Sequence, residues 1–311
     1  MEFYNWKEHR CSFESISGDD KLALLLIHPI GVGLSSRYWE PFIQQWQASP
    51  LVSNPIYNLD LLGCGQSDMP RQALAPRDWA EQIAYFVENI ASRPVVLVVQ
   101  GALLPVAVEL MATRVTEKVA GMVLSGPPAW RLMTTPTEAW KQTLAWTLLT
   151  SPLGNLFYRY ARRETFLRSF SERQLFKRAE DVDKHWLTML HKGSRDMDSR
   201  YAVFSFLAGF WRQDYAAKIA RIQQPVLVVM GENASTIDRK TAKQIEQQIE
   251  QSASVEQASR KRLQDYIDHF PRAEGVSIRG RNVMPYEAPD EFVKAIAPFI
   301  NELRTVSTVN A

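Results

Sequence analysis

The chain has 311 residues, 46% hydrophobic and 23% charged, close to average globular usage, which excludes a disordered, collagen-like or disulfide-stapled miniprotein. Thirty-six basic against 34 acidic side chains leave a net charge of +2, so the whole molecule carries no electrostatic footprint for nucleic acid. Cys11 and Cys64 are the only cysteines, which excludes zinc, iron–sulfur and oxidised frameworks, points to a reducing compartment and leaves no metal or cofactor expected.

The first residues, Met1 to Glu8, mix acids with bases and lack an apolar core, so no secretory or transit signal is read there and a cytoplasmic protein is expected. The longest apolar runs fall short of the roughly 18 residues of a spanning helix, which limits membrane contact to a peripheral kind. In chain order, buried-strand patterns then alternate with helical ones. Residues 22–28 form an apolar run of strand length, and a glycine-rich turn leads to a helix over 37–46. A second strand is predicted at 55–60, then an amphipathic helix over 78–90 with Trp79, Ile83, Phe86, Val87 and Ile90 on one face. A third strand at 94–100 precedes a helix over 105–113, and a fourth fits 119–125. This order predicts an α/β fold with a doubly wound, mainly parallel sheet. From 129 to 224 the strand signal gives way to helical, Trp- and Arg-rich sequence, and the α/β pattern resumes with a strand at 225–231. Helices over 239–251 and 255–269, a strand at 275–278 and a helix over 289–303 complete the chain. The expected division is a core of 1–128 plus 225–311 and an inserted helical lid of 129–224.

Five segments in this order resemble the α/β-hydrolase family. His28-Pro29-Ile30-Gly31-Val32-Gly33 stands where that family has the turn supplying one oxyanion donor. Asp60-Leu61-Leu62-Gly63-Cys64-Gly65-Gln66-Ser67-Asp68 resembles the loop after its next strand. Val99-Gln100-Gly101-Ala102-Leu103 falls at the nucleophile elbow, the strand at 225–231 at the one leading to the catalytic acid, and 278–289 at the loop of the catalytic histidine. The resemblance implies an α/β-hydrolase fold over nearly the whole chain outside the insertion. It also implies a chemistry: a serine, cysteine or aspartate exposed on a tight strand-to-helix turn, a histidine to take its proton, and a carboxylate to orient that histidine. In this frame the nucleophile position is Gly101, the acid position Ala234 and the histidine position Asn282. None of these side chains can perform its role, so a catalytically degenerate member is expected.

No other residue restores the set. His28 belongs to the oxyanion turn, His185 and His191 to the insertion, His9 precedes the predicted fold, and His269 ends a polar helix ahead of the expected loop. Glu232 and Asp238 lie near the acid position but have no base to orient, and Asp238 fits the N-cap of the helix after it. Cys64 is read as buried and unreactive, and Asp60, Ser67 and Asp68 as braces of their loop. Backbone donors at Ile30 and Ala102 do not depend on side chains. A pocket of Ile30, Gly101, Ala102, Trp130 and Asn282 is therefore expected to bind a carbonyl or carboxylate without cleaving it.

The insertion holds five tryptophans and, over 130–222, sixteen Lys and Arg against nine acids. In the resembled family such an insertion covers the pocket and chooses the substrate, and its apolar composition implies an acyl- or isoprenoid-like ligand. Arg159, Arg162, Arg163 and Arg168 interleave with aromatic and aliphatic residues over 155–170, a pattern suited to a protein partner or an anionic membrane surface. The wording of 28–33, 60–68 and 205–211 is similar to a cyanobacterial and plastid branch of the family, which implies a thylakoid-associated partner. The sequence thus reads as a non-catalytic binding or assembly factor acting through its lid. The alternative is a hydrolase or other pocket enzyme on an apolar ester, or a carrier of such a ligand.

Overall fold

The computed structural model describes residues 1–235 and 254–309. Its strands are β1 (Glu2–Trp6), β2 (His9–Ile16), β3 (Ala23–Ile27), β4 (Ile56–Leu59), β5 (Val95–Gln100), β6 (Val119–Ser125), β7 (Val226–Gly231) and β8 (Ala273–Ile278). They make one sheet in the spatial order β1-β2-β4-β3-β5-β6-β7-β8. From β4 to β8 every pairing is parallel, while β2 runs antiparallel to both β1 and β4.

β3, β4, β5 and β7 are buried along their whole length, as expected of parallel strands covered on both faces. Leu24 and Leu26 point to one layer, where helices α1 (Glu40–Ala48) and, near the end of the chain, Pro289–Val309 supply Phe42, Trp46, Phe292 and Ile296. Leu25 and Ile27 point to the other, where α2 (Pro76–Asn89) and α3 (Leu104–Met111) supply Trp79, Ile83, Phe86 and Leu104. Between β6 and β7 the described chain contains helices only: α4 (Trp130–Thr134), α5 (Ala139–Thr150), α6 (Pro152–Ala161), α7 (Glu164–Phe170), α8 (Lys184–Gly193), α9 (Arg200–Leu207) and α10 (Ala216–Ile219), with short tighter turns and one wider π turn, Ser171–Leu175, among them. After β7 come α11 (Val255–His269), then α12 (Met284–Glu287) and α13 (Pro289–Val309).

The six strands predicted from apolar runs are all present. The β1–β2 hairpin is an addition, and it corrects the placement of His9, which opens β2 instead of preceding the fold. Its strands bury only part of their residues, Tyr4 and Trp6 on β1 and Cys11, Ser12 and Phe13 on β2, so they lack the continuous apolar run that marks the inner strands. α11 begins at a capping box of Ser254 and Gln257, with Gln257 N–H donating to Ser254 Oγ at 3.3 Å. The predicted helix over 239–251 and the cap at Asp238 lie outside the described residues.

A polar knot fixes the loops at the site end of β3 and β4. The Asp60 carboxylate, 1% exposed, accepts from Ser36 N–H at 2.9 Å, Gln66 N–H at 2.8 Å and the Ser12 hydroxyl at 3.0 Å. Its carbonyl accepts from the Ser67 hydroxyl at 2.8 Å and Gln82 Nε2 at 3.2 Å. Gly65 takes a positive φ of +61° directly over the carboxylate, where a Cβ would overlap it. Beside this knot His28 is fully buried, its Nδ1 2.9 Å from the Pro29 carbonyl and its Nε2 accepting from Leu61 N–H at 3.0 Å. Those two bonds require the neutral ring with its proton on Nδ1. Burial accordingly holds the His28 pKa below the ordinary 6.5, against a smaller opposing pull from Asp60.

The unfolded chain therefore takes up a proton at His28 near pH 6.5 while the folded chain resists it. This contribution to stability is complete above that pH and is lost as pH falls below it. Thermal melts are expected to show stability falling from neutrality towards about pH 5, with a shallower dependence in His28→Gln. Equal slopes in the two chains would assign the pH dependence to other groups.

Candidate functional site

β5 ends at Gln100, and the chain turns sharply through Gly101 into the short tight turn Gly101–Leu103 and then α3. Gly101 has φ +59°, the left-handed conformation that glycine adopts without steric cost. A Cβ built on it would have no atom within 4 Å. The neighbours at the two positions where the elbow usually has small residues, Val99 and Leu103, are buried. The backbone is thus shaped as a nucleophile elbow, with open space where the nucleophile would stand.

The other two frame positions converge on the same place. Asn282, 9% exposed, follows β8. Its Nδ2 donates to the Gln174 carbonyl at 2.7 Å and to Ser235 Oγ at 3.3 Å, and its Oδ1 accepts from Ser235 N–H at 3.2 Å. Its backbone N–H donates to the Leu175 carbonyl at 3.0 Å, and its carbonyl accepts from Gln100 Nε2 at 2.7 Å. Asn282 therefore ties the end of β5, the loop after β7 and the lid at 174–175 into one junction. Ala234 is buried in the turn after β7, its N–H bonded to the Gly231 carbonyl at 2.9 Å. Ser235, one residue on, is the group that faces Asn282, and its Oγ also accepts from Arg281 Nε at 2.8 Å.

Above this junction lies a cavity of about 710 Å³. Ile30, Gly101, Ala102 and Asn282 line it as expected, joined by Gln100 and Ser235, while the lid contributes Phe157, Phe166, Phe170, Phe206 and Trp211. Trp130 does not line it. Its indole stacks on His269 at 4.0 Å and meets Tyr266 edge-on at 5.5 Å, so α11 takes the ring that the sequence assigns to the pocket. Among the described residues lining the cavity there is no His, Asp, Glu or Cys. Of its hydroxyls, Ser171 donates to the Leu167 carbonyl at 2.7 Å and accepts from Trp186 Nε1 at 2.8 Å. Gln100 Oε1 is buried with no hydrogen-bond partner among the described residues. Lys141, Arg212 and Arg262 add positive charge to the lining. Burial lowers the Arg262 pKa, and its Nη1 reaches the Ser235 carbonyl at 3.5 Å.

Gln100, Ser235 and Arg262 are absent from the sequence-based site. Ser235 adjoins the acid position and was within reach of motif counting. Arg262 sits on a polar helix whose facing direction only the fold supplies. Cys64 is buried, and burial pushes its thiol pKa up, in keeping with an inert side chain. Of the four lid arginines, Arg159, Arg163 and Arg168 are exposed, Arg163 with its guanidinium 5.8 Å from the Tyr160 ring centre. Arg162 is half-buried and donates to the Arg195 carbonyl at 3.4 Å and Met197 Sδ at 3.2 Å. Arg168 sits between Glu164 at 3.8 Å and Glu172 at 4.0 Å. Arg159 and Arg163 are thus the exposed members of the four that make no ion pair among the described residues. Among the described residues no three His, Cys, Asp or Glu side chains gather as metal ligands, and no helix is long and apolar enough to cross a membrane.

No curated protein sequence matches the chain. Among solved structures, it is similar to a thermophilic esterase from Thermogutta terrifontis, with 14% identity, 95% of this chain and 94% of that one covered, and a TM-score of 0.67. It is also similar to the enol-lactonase from Burkholderia xenovorans LB400, with 12% identity, 96% and 100% covered, and a TM-score of 0.69. An esterase from Exiguobacterium antarcticum matches at 12% identity, 94% and 96% covered, and a TM-score of 0.68. At these identities the likeness is one of fold. The model of the alpha/beta hydrolase family matches residues 24–295, a span that takes in the parallel sheet, the elbow at Gly101 and the inserted lid, and the chain belongs to that family.

Proposed function

We propose that the protein is a non-hydrolytic family member that holds an apolar ligand with a carbonyl or carboxylate head in its cavity. The observation that carries this reading is Gly101, an elbow residue with the left-handed turn intact and nothing to attack with. Asn282 supports it, because its amide is neither basic nor idle: both polar atoms are engaged in structural bonds. Without nucleophile and base, rate enhancement is limited to positioning and backbone donors, orders of magnitude short of a working triad.

The cavity is within the roughly 300–1,000 Å³ of small-molecule sites and has two chemically different ends. Gln100, Ser235, Arg262 and Asn282 make a polar end, where the Ser235 hydroxyl and Arg262 are the donors that suit a carbonyl or carboxylate, and the lid phenylalanines and Trp211 make an apolar one. The lid that closes the cavity is also the contact surface that this reading offers to a partner. A second reading, a pocket enzyme on an apolar ester, draws support from the retained cavity and from the esterases and enol-lactonase among the similar structures. It needs a nucleophile outside the three frame positions.

A fluorophosphonate probe separates the two. The natural chain is expected to remain unlabelled and to cleave short nitrophenyl esters at the background rate, whereas stoichiometric labelling of one serine would establish the second reading. Gly101→Ser, for which there is room, is expected to fold and still to resist labelling, because no base stands beside it.

Ligand binding is tested by filling the cavity. Gly101→Ala and Gly101→Trp share the same left-handed strain, about 1–2 kcal/mol, but only the indole occupies the space. Binding of a fluorescent long-chain acyl probe is expected to weaken at least tenfold in Gly101→Trp and to persist in Gly101→Ala. Equal binding by both variants would place the ligand elsewhere.

A further inference from the structure

Helices α5 and α6 form a hairpin whose outward side is apolar. α5 has no fully buried residue. Its inner side packs Trp146 against Tyr201 and Phe210, with ring centres 6.1 and 5.8 Å apart, while Trp140, Leu144 and Leu148 repeat every four residues on the opposite side. On α6, Leu153, Leu156 and Tyr160 face away from the buried Gly154, Tyr158 and Ala161. These six outward side chains are between 53% and 66% exposed. Seven of the thirteen exposed large apolar side chains among the described residues fall within 140–160, a clustering that marks an interaction site and not the scatter of an ordinary surface.

The threonine and serine hydroxyls of the hairpin are bonded back to its own backbone. The hydroxyls of Thr143 and Thr147 donate back to the carbonyls of Ala139 and Thr143 at 3.0 and 2.9 Å. Thr150 donates to the Trp146 carbonyl at 2.8 Å and Ser151 to the Leu148 carbonyl at 2.6 Å, while Ser151 Oγ accepts from Leu153 N–H at 3.2 Å. The next residue at the tip, Pro152, has no N–H, and Trp140 Nε1 donates to Glu138 at 2.6 Å. These groups can leave water without stranding a donor, the condition for contact with hydrocarbon. A protein interface, by contrast, carries about one hydrogen bond per 100–200 Å², and the hydroxyl protons of this face are already spent on its own backbone.

The charge is one-signed. Between residues 139 and 163 stand Lys141, Arg159, Arg162 and Arg163, and no acid, Lys141 being paired with Glu138 just before α5. Arg159 and Arg163 are exposed, and neither makes an ion pair among the described residues. At twelve residues, α5 is about 18 Å long, well short of the roughly 30 Å of a hydrocarbon core, so it lies on a bilayer and does not span it.

We infer that the α5–α6 hairpin docks on an anionic lipid surface, with Trp140, Leu144, Leu148, Leu153 and Leu156 in the boundary between headgroups and acyl chains and Arg159 and Arg163 on the lipid anions. The same hairpin gives Lys141, Ala145 and Phe157 to the cavity wall, which sets the cavity beside a source of apolar ligands. The docking does not depend on whether the cavity is occupied, so the two proposals fail separately.

The test is flotation of the full chain with phosphatidylcholine vesicles, with and without phosphatidylserine. The natural chain is expected to float with the anionic vesicles and to be partly released by raised salt. Leu153→Asp/Leu156→Asp and Arg159→Glu/Arg163→Glu are each expected to lower binding at least tenfold. Circular dichroism and melting should be unchanged in both, because all four positions are exposed, and acyl-probe binding in solution should persist. Absence of flotation by the natural chain, or undiminished flotation of both variants, would overturn the inference. So would a concentration-dependent dimer that Leu153→Asp/Leu156→Asp abolishes, since a second copy would then cover the face.

Discussion

The Asp60 carboxylate governs the site end of this fold, because a buried carboxylate is tolerated only when its oxygens are filled with donors. The donors come from three places: Ser12 on β2, Ser36 in the turn after β3, and Gln66 in the loop after β4. Satisfying one carboxylate therefore fixes the loop after β4 against the loop after β3, whose residues 29–32 line the cavity, and neutral His28 adds a further strut to Leu61. None of these groups is a catalytic position. The loops at this end of the sheet are consequently held by a network that does not involve Gly101, Ala234 or Asn282.

Asn282, at the family's histidine position, has a structural role. Asn282 joins the end of β5 to the loop after β7 and to the lid through five hydrogen bonds, a role its two-sided amide fills better than a titrating imidazole could. Nearby, Glu287 accepts from the N–H groups of Lys177 and Arg281 at 2.6 and 2.8 Å, and burial raises its pKa despite these bonds. Arg281 in turn donates to the Arg173 carbonyl at 2.5 Å. The lid is thus tied to the core at 173–177, while the α5–α6 hairpin is packed mainly on α9 and presents its other side outward. Anchored and projecting parts of one insertion can then serve different ends, the first closing the cavity and the second meeting a surface.

Much of the fold was legible because its signal is local. The run 22–27 is apolar at every position, which suits a strand covered on both faces, and Leu24 and Leu25 do point to opposite layers. The spacing from strand ends to Gly101, Ala234 and Asn282 was also readable, and the structure brings Gly101 and Asn282 to one cavity and Ala234 into the turn beside them. The pairing of Arg168 with Glu164 and Glu172 follows from helical spacing. The hairpin of β1 and β2 was not legible, since a partly polar pattern of five to eight residues carries little periodic signal. Nor was the destination of Trp130, whose partner His269 is distant in sequence.

By itself, then, the sequence determined the elements, their order, the frame of the elbow and the three residue types that occupy it, because each depends on a few neighbouring side chains. Tertiary structure alone decided which of those residues meet, which arginines stay in water, and which side of α5 faces out. On that helix Trp140, Leu144 and Leu148 are as apolar as Trp146 and Leu149, so hydrophobic periodicity gives no direction. Only packing on α9 selects the inner side, and the apolar face left over comes into view once that choice is made.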